Sequence, residues 1–549
     1  MYGGTFNPSL SAWLYPAFAP FKQHVLSDLE KLNVPVPATA LTRIAEVEKG
    51  YTELAGDLSY YVYPYKHQED SLAFLLAHPR AALYLDCGLG KTKILLDMIR
   101  AVKAPALVLC PKMVIQTWLD EAAKHAKELK ILAVTGTPKK RRRLALEAAD
   151  IRVISYDSVN NYLPQLLRTK YEIIIADESH NLRSHDSSRT AGALALSRKA
   201  TRRVVSTGTP LLGDPRHIWA QLKFLGEFIV DTYWKFTKRY VSVLPSNKHI
   251  AVGYKNLHLL KETVDELSVR HKKEDCLDLP ERVINDFRFR PSPEQVGAYY
   301  EILKTGKVAD LKGVPQTVSA ATLLNKLLQV ISGFYHPVLD TTVCDDCEHK
   351  GYCIAKEIDP YTPRCLEGLL KPPPVRIETN NKVEALLQLV ESMHDRVIVW
   401  AKYRESLDLC DKALSEHYKV ARVDGQVHRI PDDWQVYLSQ VSMGTGINEL
   451  ATVPYAVYYD LDWDLASYLQ SLDRNYRIGT NKRVFVYRLL STFGADNLVA
   501  RCLDAKLDVL KIIMERMDCL KCEQASGDCS PFNKKCVYQK SVGRPVATP

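Results

Sequence analysis

Short apolar runs recur along the first half of the chain, each four or five residues long. Ala81–Leu85, Ala106–Leu109, Ile131–Val134, Arg152–Ser155, Ile173–Ala176 and Arg203–Ser206 have the length and composition of buried strands. Between several of them lie stretches with helical spacing of apolar residues, such as Ile94–Val102 and Val114–Lys127. Apolar strands that alternate with helices predict a parallel sheet with covering helices. The same pattern returns after Asn381, with candidate strands at Val397–Trp400, Lys419–Val423, Gln435–Ser439, Ala456–Tyr459 and Val484–Tyr487. This is the pattern of an α/β protein with two parallel-sheet lobes. The stretch between the lobes is helical in pattern, as in Ala321–Val330, and then rich in cysteine and proline. Pro372–Pro374 is the expected linker into the second lobe. The predicted organisation is an N-terminal accessory segment (1–55), a first lobe (56–228), a helical, Cys-rich insert (229–378), a second lobe (379–517) and a small Cys-rich tail (518–549).

Composition narrows the class. Hydrophobic residues make up 46% and charged residues 25%, as in a folded soluble protein. No apolar run reaches the roughly 18–20 residues that a bilayer requires, and no basic region precedes the apolar part of Met1–Pro20. The expectation is no membrane partner, no signal peptide and a cytoplasmic site, which is the host cytoplasm if the protein is viral. The formal net charge of +9 is a mild excess, compatible with a phosphate-backbone partner. A basic run, Lys139–Arg143, opens a helix and reads either as a DNA-facing patch or as a solvated surface.

Candidate chemistry concentrates in the first lobe. Gly88, Leu89, Gly90, Lys91 and Thr92 follow a predicted strand and open a predicted helix. Glycines there let backbone N–H groups cradle phosphate oxygens. Lys91 would reach the β/γ-phosphates, and the Thr92 hydroxyl would hold Mg²⁺. Leu85 stands where the general phosphate-loop pattern has glycine. Asp177 and Glu178 close the apolar strand Tyr171–Ala176. A carboxylate at a strand end suits a metal role, assigned to Asp177, and its neighbour Glu178 suits that of general base. The pair of motifs predicts an NTPase with ATP and Mg²⁺.

Further residues complete an ordered ladder. Tyr65–Gln68 precede the phosphate loop. Val108–Pro111, Trp118–Glu121, Ile154–Tyr156 and Ser206–Pro210 follow in turn, then Arg396–Trp400, Gly444–Asn448 and Gln470–Gly479. This ladder resembles that of superfamily-two helicases, and the Swi/Snf-like double-stranded DNA translocases in particular, over about residues 60–240 and 380–490. It extends to Arg270, Lys272 and Pro280 in the insert. Thr480 stands where that branch usually has Gln, and a short loop around Pro431–Asp433 replaces a usual helix. The resemblance implies two RecA-like lobes with ATP in the cleft between them. Gln68 would read adenine, and Gly446 and Gln470 would join the nucleotide site. Arg474 and Arg477, placed on one helix face with Gln470, would act as arginine fingers.

Thirteen cysteines remain to be placed. Cys87, Cys110, Cys276, Cys410 and Cys502 are scattered and read as small buried hydrophobes. Cys344, Cys347, Cys353 and Cys365 form one group, and Cys519, Cys522, Cys529 and Cys536 form another. Each offers a C-x-x-C knuckle and two later thiolates, which suits structural Zn²⁺. An iron–sulfur cluster or unmetallated thiols are the alternatives. Tyr60, Tyr61, Tyr63 and Tyr65 either frame the adenine pocket or pack as core. The expected function is a monomeric, nucleic-acid-stimulated ATPase tracking on double-stranded DNA, with no protein partner indicated. A strand-separating DNA or RNA helicase, acting on single strands, and a non-catalytic DNA-binding scaffold are the rivals.

Overall fold

The structure is a computed structural model. It describes residues 5–7, 12–14, 58–210, 214–226, 229–244, 247–305, 320–336, 374–443, 448–477 and 480–505. It divides into two compact units, Met1–Leu279 and Pro280–Pro549.

The first unit is built on a seven-stranded, wholly parallel sheet. Its strands are β1 (Arg80–Leu85), β2 (Ala106–Cys110), β3 (Ile131–Ala133), β4 (Ile151–Ser155), β5 (Ile173–Asp177), β6 (Arg202–Ser206) and β7 (Ser268–His271), in the order β7-β1-β6-β5-β2-β4-β3. Successive side chains of a strand point to opposite faces, and both faces are apolar. Ala82, Tyr84, Leu107, Leu109, Ile174 and Val205 join one core. Ala81, Leu83, Leu85, Val108, Ile173 and Val204 join the other. That is why the strands read as continuous apolar runs rather than alternating ones. The second core is covered by helices α1 (Lys66–Ala77), α2 (Lys91–Val102) and α3 (Val114–His125), through residues such as Phe74, Ile99 and Trp118. The first core is covered by helix α4 (Trp219–Leu225), among others.

The second unit repeats the plan with another seven-stranded sheet. Its strands are β8 (Arg282–Phe289), β9 (Val397–Ala401), β10 (Val420–Val423), β11 (His428–Arg429), β12 (Val436–Gln440), β13 (Tyr455–Tyr458) and β14 (Val484–Ser491), in the order β8-β14-β13-β9-β12-β10-β11. All pair in parallel except β11, an antiparallel edge on β10. The short loop expected before β12 is this edge. The Asp424 carboxylate accepts from the N–H groups of Gln426 and Val427, each at 2.8 Å, and so closes the turn.

The stretch expected to be a helical insert contains helices at Leu257–Leu267 and Ala320–Ile331. It also contributes β7 to the first sheet and β8 to the second. The division between units therefore falls inside it, at Leu279 and Pro280. Both strands lie at sheet edges and carry charged residues, so neither has a continuous apolar signature. Among the described residues, no helix is long and apolar enough to cross a membrane.

Because Val269 of β7 is buried in the core beneath the phosphate loop, Val269→Ala is expected to lower stability by about 1–2 kcal/mol. Urea unfolding should show a lower midpoint with an unchanged slope. An unchanged midpoint would mean that β7 does not belong to the sheet.

Candidate functional site

The carboxyl ends of β1, β6 and β5 are neighbours in the sheet, and three motifs leave the sheet there. After β1 the chain turns through Gly88 (φ 86°) and Gly90 (φ 79°), both in the left-handed region that suits glycine. A Cβ at Gly90 would also lie 2.3 Å from Gln68 Nε2, so the Gln68 amide would have to move from its place against the loop. Helix α2 then starts at Lys91, which points its N-terminus at the loop. Lys91 Nζ donates to the carbonyls of Leu85 (3.0 Å) and Asp86 (3.3 Å).

The loop is braced from two sides. Gln68 Nε2 donates to the Leu89 carbonyl at 3.1 Å, and Gln68 Oε1 accepts from Tyr65 N at 3.1 Å. His67 Nε2 also bonds the Leu89 carbonyl at 3.0 Å, and burial lowers the pKa of its ring. On the other side, Asp86 accepts from Lys273 N at 2.9 Å and its own N–H donates to the His271 carbonyl at 3.2 Å. That second brace begins where β7 ends. Arg270 stacks over the Tyr84 ring at 5.8 Å, and Lys272 is exposed.

Asp177 ends β5 and is 4% exposed. One carboxylate oxygen accepts from Trp118 Nε1 at 2.9 Å and the other from Glu178 N at 3.0 Å. Tyr156 Oη donates to the Asp177 carbonyl at 2.8 Å. Burial, with the Glu178 charge added, pushes the carboxyl up to about 6 from the usual 3.8. The Trp118 bond and the Lys91 charge oppose the rise without cancelling it.

Glu178 sits at φ 48°, one of three non-glycine residues with positive φ among those described. Its Oε2 accepts from Thr207 Oγ1 at 3.3 Å and lies 3.3 Å from His180 Nδ1. His180 Nδ1 is also 2.9 Å from Thr207 Oγ1. Thr207 belongs to the turn that leaves β6, so this triangle joins two motifs through side chains. The sequence marked Thr207 as a motif member without giving it a partner.

The structure thus brings Gln68, Gly88, Leu89, Gly90 and Lys91 together, and the Lys91 charge acts on Asp177. Thr92 follows Lys91 in the first turn of α2, half-buried. The donor set fits a nucleoside triphosphate with a divalent cation. Two adjacent carboxylates repel one another, and the raised Asp177 carboxyl marks a position where added positive charge would be favourable.

In the second unit, Gln470 lies on helix α5 (Leu465–Leu472) and is half-buried. The expected shared helix face does not exist: α5 ends at Leu472, capped by Asp473, and Arg474–Arg477 are bends. Side-chain bonds hold that irregular path. Asn475, fully buried, donates to the Val453 carbonyl at 3.1 Å. The Thr480 hydroxyl accepts from Arg477 N at 3.0 Å and lies 3.2 Å from the carbonyls of Ala451 and Asn475. Thr480, the departure from the family pattern, therefore closes the turn that carries Arg477.

Several expectations lie outside the described residues: Gly446 and both cysteine groups, Cys344–Cys365 and Cys519–Cys536. Among the described residues, no group of three or more His, Cys, Asp or Glu side chains is placed to hold a metal ion. The cations Lys139, Lys140, Arg142 and Arg143 are exposed on a short helix, Pro138–Leu144, while Arg141 bonds Ser158. Tyr60 and Tyr61 lie under Lys93, Arg100 and Lys127 instead of inside a core.

The SNF2-related domain family matches residues 67–338, and the helicase conserved C-terminal domain family matches residues 381–479. Together they take in more than half of the chain. The chain belongs to the SNF2-related family of superfamily-two ATPases. TATA-binding protein-associated factor MOT1 of Saccharomyces cerevisiae is 26% identical over 521 residues, covering 82% of this chain and 27% of that protein. DNA repair and recombination protein RAD54B of Mus musculus is 23% identical over 492 residues, covering 78% and 53%. This SNF2-related chain therefore spans about a quarter to a half of the length of these relatives. The Sulfolobus solfataricus SWI2/SNF2 ATPase core in complex with dsDNA superposes with a TM-score of 0.39 at 19% identity, covering 86% of this chain and 98% of that one.

The raised Asp177 carboxyl has a stability consequence in this SNF2-related site. The folded protein holds that proton more tightly than the unfolded chain does, so stability falls as pH rises from 3.8 through about 6. Asp177→Asn is expected to stabilise the cation-free protein at neutral pH by about 1–3 kcal/mol. The gain should vanish below pH 4 and shrink when Mg²⁺ is added. Thermal unfolding across pH checks this, and a gain that is flat with pH would refute the assignment.

Proposed function

We propose that the chain is an ATP-driven motor that hydrolyses ATP with Mg²⁺ and tracks along double-stranded DNA. The observation that carries the reading is the convergence at one sheet edge of the Lys91 loop, the buried Asp177 and the Glu178–Thr207–His180 triangle. Lys91 and the loop N–H groups bind the phosphates, and Gln68, which bonds the loop at Leu89, reads the adenine. Thr92 and Asp177 hold Mg²⁺, which supplies charge neutralisation at the phosphates when bound. Glu178 takes the proton of the attacking water, oriented by Thr207 and His180. By the family resemblance, the arginine-finger role falls to Arg474 and Arg477.

The double-stranded DNA partner is supported by the net charge of +9 and by family membership. RAD54B, a relative, is named a DNA repair and recombination protein. A cytoplasmic site and action as a monomer belong to the same reading.

ATP hydrolysis measured without nucleic acid, and with single-stranded DNA, double-stranded DNA or RNA, tests the proposal. Duplex DNA is expected to stimulate turnover most, and Lys91→Ala to reduce it by roughly a hundredfold or more. Stimulation by single strands or RNA alone would replace duplex tracking with a strand-separating helicase. Absence of turnover under every condition would leave a DNA-binding scaffold.

The C-x-x-C spacing supports structural zinc at each cysteine group. Elemental analysis of the full chain is expected to find one zinc ion per group. Iron with visible absorbance would indicate clusters instead, and metal-free protein would indicate plain thiols.

A further inference from the structure

We propose that Gln221 is a positioning residue for ATP hydrolysis, its buried amide locking the segment that carries Glu178 to the strand leading into the phosphate loop. The inference rests on the ATPase reading above.

Gln221 lies on α4 with no solvent exposure. Its Oε1 accepts from Ser179 Oγ at 2.8 Å and from Tyr84 Oη at 3.2 Å, and its Nε2 donates to the Pro210 carbonyl at 2.9 Å. These partners belong to three separate segments. Tyr84 is in β1, next to Leu85, whose carbonyl receives Lys91. Ser179 directly follows Glu178. Pro210 ends the turn that contains Thr207, the Glu178 partner. One side chain therefore bridges the strand leading into the phosphate loop, the acidic motif and the turn after β6.

Two physical points favour a positioning role over packing. Leu222, Phe224 and Leu225, the large apolar neighbours on α4, fill the core without polar atoms. A buried amide adds no stability there unless its bonds are made. The second point is the backbone of Glu178. Its positive φ is uncommon outside glycine and persists only where the surroundings hold it. Ser179, fully buried and directly after Glu178, is anchored by its bond to Gln221. Gln221 thus acts on Glu178 through Ser179 and does not touch the reacting atoms.

The test uses the full chain with saturating duplex DNA. Gln221→Leu is expected to lower kcat on the order of tenfold to a hundredfold while KM for ATP stays nearly unchanged, because the phosphate loop and Gln68 are intact. Ser179→Ala should lower kcat in the same way. The double variant should fall no further than Gln221→Leu alone, since both act through one contact.

Gln221→Glu gives a readout that a packing role would not move. As a neutral acid it offers the same acceptor and donor as the amide. Once ionised it presents no donor to the Pro210 carbonyl. Its kcat relative to wild type should therefore fall as pH rises. If Gln221→Leu does not fold, Ser179→Ala and the pH profile of Gln221→Glu decide the matter.

Wild-type kcat in Gln221→Leu or Ser179→Ala, losses that multiply in the double variant, or a pH-independent ratio for Gln221→Glu would each overturn the inference while leaving the ATPase reading in place. No turnover in the wild-type protein would overturn both.

Discussion

The first unit is organised around a carboxylate that water barely reaches. Asp177 is buried at the end of a wholly apolar strand, and burial disfavours its charge. What keeps it there is a set of donors from separate elements: Trp118 from α3, its own next N–H, and the nearby charge of Lys91. Tyr156 fixes the backbone at the same point. Each donor in turn requires its helix or loop to be where it is, so α3, the phosphate loop and the segment after β4 are all referenced to one residue. The arrangement is also incomplete in charge. Lys91, whose charge acts on Asp177, also bonds two loop carbonyls, and a cation arriving with a phosphate ligand would offset the raised carboxyl. Function here works against stability.

The strands with both faces buried were legible because burial on both faces leaves no polar position to confuse the pattern. Predicted and observed ends of β1, β2, β5 and β9 differ by a residue or so. The edge strands β7 and β8 were not legible. Ser268–His271 and Arg282–Phe289 carry charged residues, and a helix-rich context surrounds them. Their places come from hydrogen bonding to a neighbouring strand, β1 in one case and β14 in the other, and periodicity holds no record of that. The arginines of the second unit illustrate the same limit. A spacing of three suggests one helix face, but the Asn475 and Thr480 side chains bond loop carbonyls and hold the chain in another path.

The site residues were readable to a different degree. Gly90, Lys91, Asp177 and Glu178 could be named because phosphate and metal chemistry restricts residue type. Gln221 could not, since its signal is only a polar residue within the apolar helix Trp219–Leu225. Its meaning depends on three partners, the most distant of them Tyr84 in β1.

Sheet order explains why those partners meet at all. In a parallel sheet every strand delivers its carboxyl end to the same edge, and ligand chemistry collects there. β1, β6 and β5 are adjacent in this sheet although β6 comes last of the three in sequence. That crossover sets the turn after β6 between the phosphate loop and the acidic motif. Thr207 can then reach Glu178, and the Pro210 carbonyl can receive Gln221. With β6 at any other place in the order, Lys91, Glu178 and Thr207 would still stand in the sequence, but the side-chain bonds from Thr207 to Glu178 and from Gln221 to the Pro210 carbonyl would have nothing to join. The order of strands, more than any single motif, makes one site of the three segments.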